Sequence, residues 1–255
     1  MSTVVILGAS SGFGAAAARA FARVGFDIVG VHLDRRAAQP AIDALLAELS
    51  ATGRQVHFFN QNAADDASRA EIVAKLRELC PPGSVRGLLH SLAFGSLAPF
   101  SGPRQVTRKQ MEMTLDVMGS SLVYWAQDLV DAGLLGEGGR IWAMTSSGSH
   151  MVWPGYGPVS AAKAVLEATC RQLAVELAPK GITTNAILAG VTETPALRKI
   201  PGSEALVEKA LARNPGGRLT TPEDVADFLV LLAGPGARWV NGNILRVDGG
   251  EDIAG

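Results

Sequence analysis

Cysteine is scarce in this chain, and the two present, Cys80 and Cys170, lie far apart with no CxxC pair or histidine cluster beside them. That excludes a disulfide scaffold or a structural zinc site and leaves two reduced thiols. Neither sign of charge dominates: 23 basic residues face 24 acidic ones, for a net charge of −1. Without a basic field, nothing attracts nucleic acid or an anionic lipid surface. Charged residues make up only 18 % of the chain against 47 % hydrophobic, which excludes disorder and implies a well-buried sheet. Long apolar runs are missing too. No stretch approaches the ~20 residues of a membrane span, and the N-terminus enters an apolar strand without a basic leader. A cytoplasmic location is therefore expected. Polar linkers, repeats and low-complexity segments are absent, so residues 1–255 are expected to form a single domain.

What the chain does have is an alternation of short β-branched runs with helical periods. Strands are expected at 3–7, 27–32, 56–59, 87–92, 140–144, 183–188 and 244–247. Helices are expected at 13–24, 41–49, 69–79, 109–135, 158–177 and 223–232. That order predicts an α/β fold, a doubly wound parallel sheet of the Rossmann type. The stretch 190–218, rich in glycine and proline, is expected to be irregular and to cover a substrate.

The first strand runs into Gly8-Ala9-Ser10-Ser11-Gly12-Phe13-Gly14 and then an alanine-rich helix. Glycines at 8, 12 and 14 permit a tight turn, close approach of a pyrophosphate, and close packing of helix on strand. The helix N-terminus aims its free amides and positive dipole at the phosphates. A glycine-rich turn alone is a weak signal, but here it follows a strand and opens a helix. Gly8, Ser10, Ser11, Gly12, Phe13 and Gly14 are thus candidate dinucleotide contacts.

With GxxxGxG in front and Tyr156 and Lys163 downstream, the chain resembles the short-chain dehydrogenase/reductase family. The resemblance runs through Asn185-Ala186-Ile187 to Val247-Asp248-Gly249-Gly250, nearly the whole length. Most members carry a tyrosine four positions before the lysine, where this chain has Val159. The spacing here is Tyr-x6-Lys, which is similar to the family's enoyl-acyl-carrier-protein reductases. His90-Ser91-Leu92-Ala93-Phe94 resembles their His-Ser-Ile-Gly-Phe and replaces the common Asn-Asn-Ala-Gly. Asp116, in Thr114-Leu115-Asp116-Val117, stands where ketoreductases place a catalytic asparagine.

The resemblance implies a nicotinamide cofactor, with Tyr156 as donor and Lys163 holding the ribose. A tyrosine titrates near ~10, so a neighbouring cation would help it act at neutral pH. Seven helical residues turn about 700°, which would put both side chains on one face. Gly157-Pro158, however, predicts that the helix begins near Pro158, with Tyr156 on the loop entering it. Ser146 either polarises a substrate oxygen or, with Thr145 and Ser147, caps the strand end. His90 is expected to be a packing residue, and Met111, Met113 and Met118 to line the core or a groove.

The resemblance further assigns Ser91, Leu92 and Ala93 to the cofactor, Thr192 and Thr194 to the nicotinamide carboxamide, and Asn62-Ala63 to adenine. Cofactor choice falls to Asp34, Arg35 and Arg36. A carboxylate would bond an NAD ribose, whereas arginines would attract a 2′-phosphate. NADPH is the expectation, with Asp34 turned outward toward an arginine and NADH as the alternative.

The expected reaction is reduction of a trans-2-enoyl thioester borne by acyl carrier protein or coenzyme A. Two alternatives stay open at this stage: a keto/hydroxy reductase of the same family using Ser146, and an idle nucleotide sensor. The helices at 109–135 and 158–177 carry more apolar surface than one sheet face would cover. The family pairs these helices between subunits, which implies a homotetramer.

Overall fold

Short β-branched runs pair into one parallel sheet in this protein, whose structure, a computed structural model, describes residues 2–254. The strands are β1 (Thr3–Leu7), β2 (Asp27–His32), β3 (Val56–Asn60), β4 (Val85–His90), β5 (Leu135–Ser146), β6 (Thr183–Ala189) and β7 (Ile244–Val247). Among the described residues they lie in the order β3-β2-β1-β4-β5-β6-β7, every pair parallel. The chain is a doubly wound Rossmann-type α/β fold.

Alternation along the central strands sends side chains to two helical layers. Val5, Leu7, Leu88 and Ile141 face α3 (Asp66–Leu79), α5 (Ser121–Asp131) and α6 (Gly157–Leu177), where Leu76, Trp125 and Leu166 are buried. Val4, Ile6, Leu89 and Trp142 face α1 (Gly12–Arg23), α2 (Gln39–Ser50) and α8 (Pro222–Ala233), where Phe21, Leu49 and Leu229 are buried. Phe21 stacks on Trp142 at 5.6 Å between centroids and meets Phe26 edge-on at 5.3 Å. Phe21→Ala should therefore lower unfolding free energy by about 3–5 kcal/mol, the usual loss for a buried phenylalanine. Urea unfolding checks this, and a loss below ~1 kcal/mol would mean that the layer collapses around the gap.

Three expectations need correction. The helix expected over 109–135 is α4 (Arg108–Leu115), a π-helical turn (Asp116–Ser120) and α5, ending at Asp131. Gly133, at φ +68°, then turns the chain into β5 at Leu135. β5 starts before Arg140 because Leu135 pairs with Val85, and the glycine-rich Gly136-Glu137-Gly138-Gly139 breaks register until Arg140 meets Gly87. Lastly, the supposedly irregular 190–218 contains α7 (Ser203–Arg213), entered from Gly202 in the left-handed region.

The strand order reverses between β1 and β4, and Leu7 lies beside His90 at their carboxyl ends. A crevice outside the carboxyl ends of the strands at such a reversal is where doubly wound sheets bind ligands.

Candidate active site

The crevice is shaped first by backbone. A Cβ on Gly14 would lie 2.1 Å from Gly8 O, so only glycine lets α1 press this close to β1. A Cβ on Gly8, at φ +87°, would lie 2.4 Å from Ser91 O, which draws the loop after β4 equally close. Ser11 caps α1 in an extended conformation without a side-chain hydrogen bond, so the first-turn amides have no capping side chain. Those amides open into a groove lined by Ser10, Ser11, Gly12, Glu193, Pro195 and Pro222. A cradle that excludes Cβ atoms and ends in uncapped amides fits a pyrophosphate.

Thr194 Cγ2 would lie 3.5 Å from a Cβ on Gly12, so the segment after β6 folds over the fingerprint. Thr194 and Thr192 are both buried. Thr194 Oγ1 accepts from Leu197 N at 3.2 Å, and Thr192 Oγ1 donates to Gly190 O at 2.9 Å. Ser91 N donates to Leu7 O, while Leu92 is half-buried and Ala93 exposed along the crevice rim. Ala63 is buried, and its carbonyl is fixed by Trp125 Nε1 at 2.7 Å, while Asn62 Oδ1 accepts from Ala64 N. Trp125 as the prop of the loop at Ala63 could not be read from sequence, since an aromatic on an apolar helix face reads as core.

At the end of β2 Asp34 does not turn outward to an arginine. Its Oδ2 lies 2.9 Å from His32 Nδ1, and Asn60 grips its backbone through N–H at 3.0 Å and C=O at 3.1 Å. Arg35 and Arg36 are exposed and form no ion pair among the described residues.

Lys163, buried nearly two turns into α6, donates from Nζ to Met144 O at 2.6 Å. Burial pushes its pKa down to about 8, opposed by the carboxylate of Glu167 one turn further on. Glu167 in turn accepts from Thr145 Oγ1 at 2.6 Å. Tyr156 immediately precedes α6, and burial raises its pKa. The cation was expected to acidify this phenol. Instead Lys163 points at a carbonyl of β5, and the only offset to burial comes from Ser146. Ser146 Oγ lies near Tyr156 but is buried without a geometrically complete hydrogen bond. Both side chains crowd Gly148, where a Cβ would lie 2.3 Å from Tyr156 Cε1 and 3.2 Å from Ser146 Oγ.

His90 is fully buried against Ser121 Oγ at 2.8 Å, and Ser121 also donates to Val117 O. Burial, then the charge of Lys163, pushes the imidazole down to about 3, so it stays neutral and packs rather than trading protons.

A family model described as Enoyl-(Acyl carrier protein) reductase matches residues 8–251. The chain belongs to the short-chain dehydrogenase/reductase family. It resembles the family's enoyl-acyl-carrier-protein reductase branch. It is 33 % identical over 193 residues to the enoyl-[acyl-carrier-protein] reductase [NADH] of Aquifex aeolicus, covering 74 % of this chain and 71 % of that protein. It is also 31 % identical over 252 residues to L-rhamnose 1-dehydrogenase (NAD(P)(+)) of Azotobacter vinelandii, covering 97 % and 95 %. The enoyl-acyl carrier protein reductase of Bacillus cereus, solved with NADP+ and indole naphthyridinone, superposes with a TM-score of 0.89 at 25 % identity, covering 100 % of this chain and 97 % of that one. The chain is an oxidoreductase of this family. Its relatives span two reaction classes, so the reaction must be argued from the site.

Around Tyr156 the chain presents an apolar wall. Met118, Val159 and Ala162 are buried together, with Leu97, Leu115 and Tyr156 packed against them. Val159, where most of the family is expected to carry tyrosine, is part of that wall and 5 % exposed. Phe100 lies across Gly157, within 2.6 Å of where a Cβ would be, and Trp153 takes Lys209 of α7 over its ring at 5.2 Å. Tyr156 is therefore a hydroxyl presented from apolar surroundings.

Proposed function

We propose that this oxidoreductase reduces trans-2-enoyl thioesters with NADPH. The observation that carries the proposal is the placement of Tyr156 ahead of α6 while Val159 is buried in the wall. A donor set back in this way suits an oxygen displaced from the carbon under attack, as in conjugate reduction. The fingerprint turn, Lys163 and the 191–194 segment would hold the dinucleotide, which when bound would supply the hydride for the β-carbon. Tyr156 then donates a hydrogen bond to the thioester oxygen as negative charge develops there, and a proton from solvent at the α-carbon would complete the reduction. Lys163 holds the ribose and carries its charge from a fixed point under β5. Ser146 is the feature that would serve a carbonyl reductase, and that is the competing reading.

Product identity tests the proposal. Incubation of crotonyl thioester with NADPH should yield butyryl thioester by mass spectrometry. Formation of 3-hydroxybutyryl from acetoacetyl thioester, with crotonyl thioester left unreacted, would move the assignment to ketoreduction.

Two exposed guanidiniums with a carboxylate drawn back to His32 favour a 2′-phosphate. Replacing Arg35 and Arg36 together by alanine should raise KM for NADPH about 10- to 100-fold, as for loss of charged hydrogen bonds, and change KM for NADH little. Equal effects on both cofactors would place the arginines elsewhere. The thioester carrier is acyl carrier protein or coenzyme A, and the 190–218 stretch with α7 forms its cover. Exposed Val165 and Val175 on α6 support pairing of this helix in a homotetramer.

A further inference from the structure

Beyond β7 the chain makes a tight turn, a knot that bonds to the segments at Val191 and His150. Gly249 and Gly250 both adopt positive φ, at +63° and +89°. The Asp248 carboxylate closes the turn, accepting from Gly250 N at 3.0 Å and Asp252 N at 2.9 Å. This turn sends two consecutive carboxylates in different directions. Glu251, 7 % exposed, accepts from Val191 N through both oxygens, at 3.2 and 3.1 Å. The approach is so close that a Cβ on Gly190 would lie 2.9 Å from Glu251 Oε2. Asp252, its side chain 3 % exposed, accepts from His150 Nε2 and from Arg246 Nε, each at 2.9 Å. His150 Nδ1 in turn meets Ser149 Oγ at 3.1 Å. The knot is itself pinned from α7: Arg213 donates to Glu251 O at 3.1 Å, and Asn214 Nδ2 donates to Asp248 O at 2.9 Å.

Val191 heads the segment that reaches Thr192 and Thr194 over the fingerprint, and His150 stands in the loop that ends at Tyr156. We propose that Glu251 and Asp252 are positioning residues with separate tasks, Glu251 for the cofactor-covering segment 191–194 and Asp252 for the loop 147–156 that delivers Tyr156. Each is a buried acceptor with a partner in a connecting segment, Asp252 sharing its carboxylate between His150 there and Arg246 on β7, and connecting segments are where order must be imposed from outside. The proposal rests on the crevice being the dinucleotide site and is independent of whether the substrate is an enoyl or a keto thioester.

The test separates the two tasks by readout. Glu251→Ala should raise the Kd of NADPH, measured by fluorescence of the bound nucleotide without substrate, about 10-fold, the effect of losing one hydrogen bond to a charged group. Its KM for whichever thioester the enzyme turns over should stay within about twofold. Glu251→Gln keeps an acceptor at the same reach and should restore Kd. If Glu251→Ala does not fold, Glu251→Asp retracts the acceptor by one methylene and should give the same rise. Asp252→Ala should leave the Kd of NADPH within about twofold and lower kcat/KM for the thioester about 10-fold, again one charged hydrogen bond. His150→Ala, at a half-exposed position, should reproduce the Asp252→Ala pattern, and the double variant should be no worse than either single one. A Kd unchanged in both Glu251 variants would overturn the first assignment. Asp252→Ala and His150→Ala effects that add, or that fall on cofactor Kd and thioester kcat/KM alike, would overturn the second and reduce the knot to a structural tie.

Discussion

Tyr156→Phe is expected to lower kcat by about 10²- to 10³-fold, the loss that follows removal of one donor from an oxyanion site. The Kd of NADPH should not move. The hydroxyl matters only once charge develops on the substrate oxygen, so its removal is felt in the transition state and not in the bound ground state. The fold should tolerate the change, because the ring packs against Met118, Val159 and Ala162 and, among the described residues, the hydroxyl makes no geometrically complete hydrogen bond. Burial raises the phenol pKa, so the group is a neutral donor across the neutral range and works by donating a hydrogen bond. Steady-state kcat together with nucleotide fluorescence checks both halves. A variant within about threefold of the wild-type rate would remove Tyr156 from the donor role, since loss of a donor is worth 10² or more.

Lys163→Met should be comparably severe but in a different way, raising the Kd of NADPH about 10- to 100-fold as well as lowering kcat. Methionine matches the length of the lysine stem and fits the buried site, and removal of a desolvated charge relieves part of the strain of burial. What is lost is the donor to Met144 O and, in the proposed role, the charge that would hold the ribose. Lys163→Arg should not rescue, because a planar guanidinium cannot replace a compact ammonium in a fully enclosed site. The measurement is a fluorescence titration followed by turnover at saturating cofactor. An unchanged Kd would make Lys163 a prop for the β5 carbonyl and nothing more.

The glycine fingerprint was legible because its logic is local. Gly8, Gly12 and Gly14 act within one turn, and the strand before and helix after are visible in the residues themselves. The sheet was legible for the same reason, each strand being a short β-branched run between turn residues. α7 was hidden because Pro201-Gly202 before it and Asn214-Pro215-Gly216-Gly217 after it read as loop, although Glu204 to Arg213 are mostly good helix formers. The π-helical turn at Asp116–Ser120 adds a residue to one turn and swings the apolar stripe by about 100°, which a count averaged over the whole 109–135 stretch does not resolve.

Within the site, residue types could be read but directions could not. Asp34 beside two arginines has a carboxylate to share, and only the fold gives it to His32 while Asn60 holds the Asp34 backbone. Lys163 near Tyr156 is a cation near a phenol, and only the packing of α6 on β5 turns it to Met144 O. Glu251 and Asp252 carry no local signal, since their partners, Val191 and His150, lie 60 and 102 positions away in the chain.

The most direct test of conjugate reduction is the ratio of kcat/KM for a crotonyl thioester to that for an acetoacetyl thioester on the same carrier. In the proposed reaction Tyr156, set back from the position Val159 occupies, serves an oxygen remote from the attacked carbon. A misplacement of ~1 Å typically costs about 100-fold, so the predicted ratio is on the order of 100 in favour of the crotonyl compound. A ratio below one, with the acetoacetyl thioester the better substrate, would contradict the assignment and return Ser146 and Tyr156 to the roles of a carbonyl reductase.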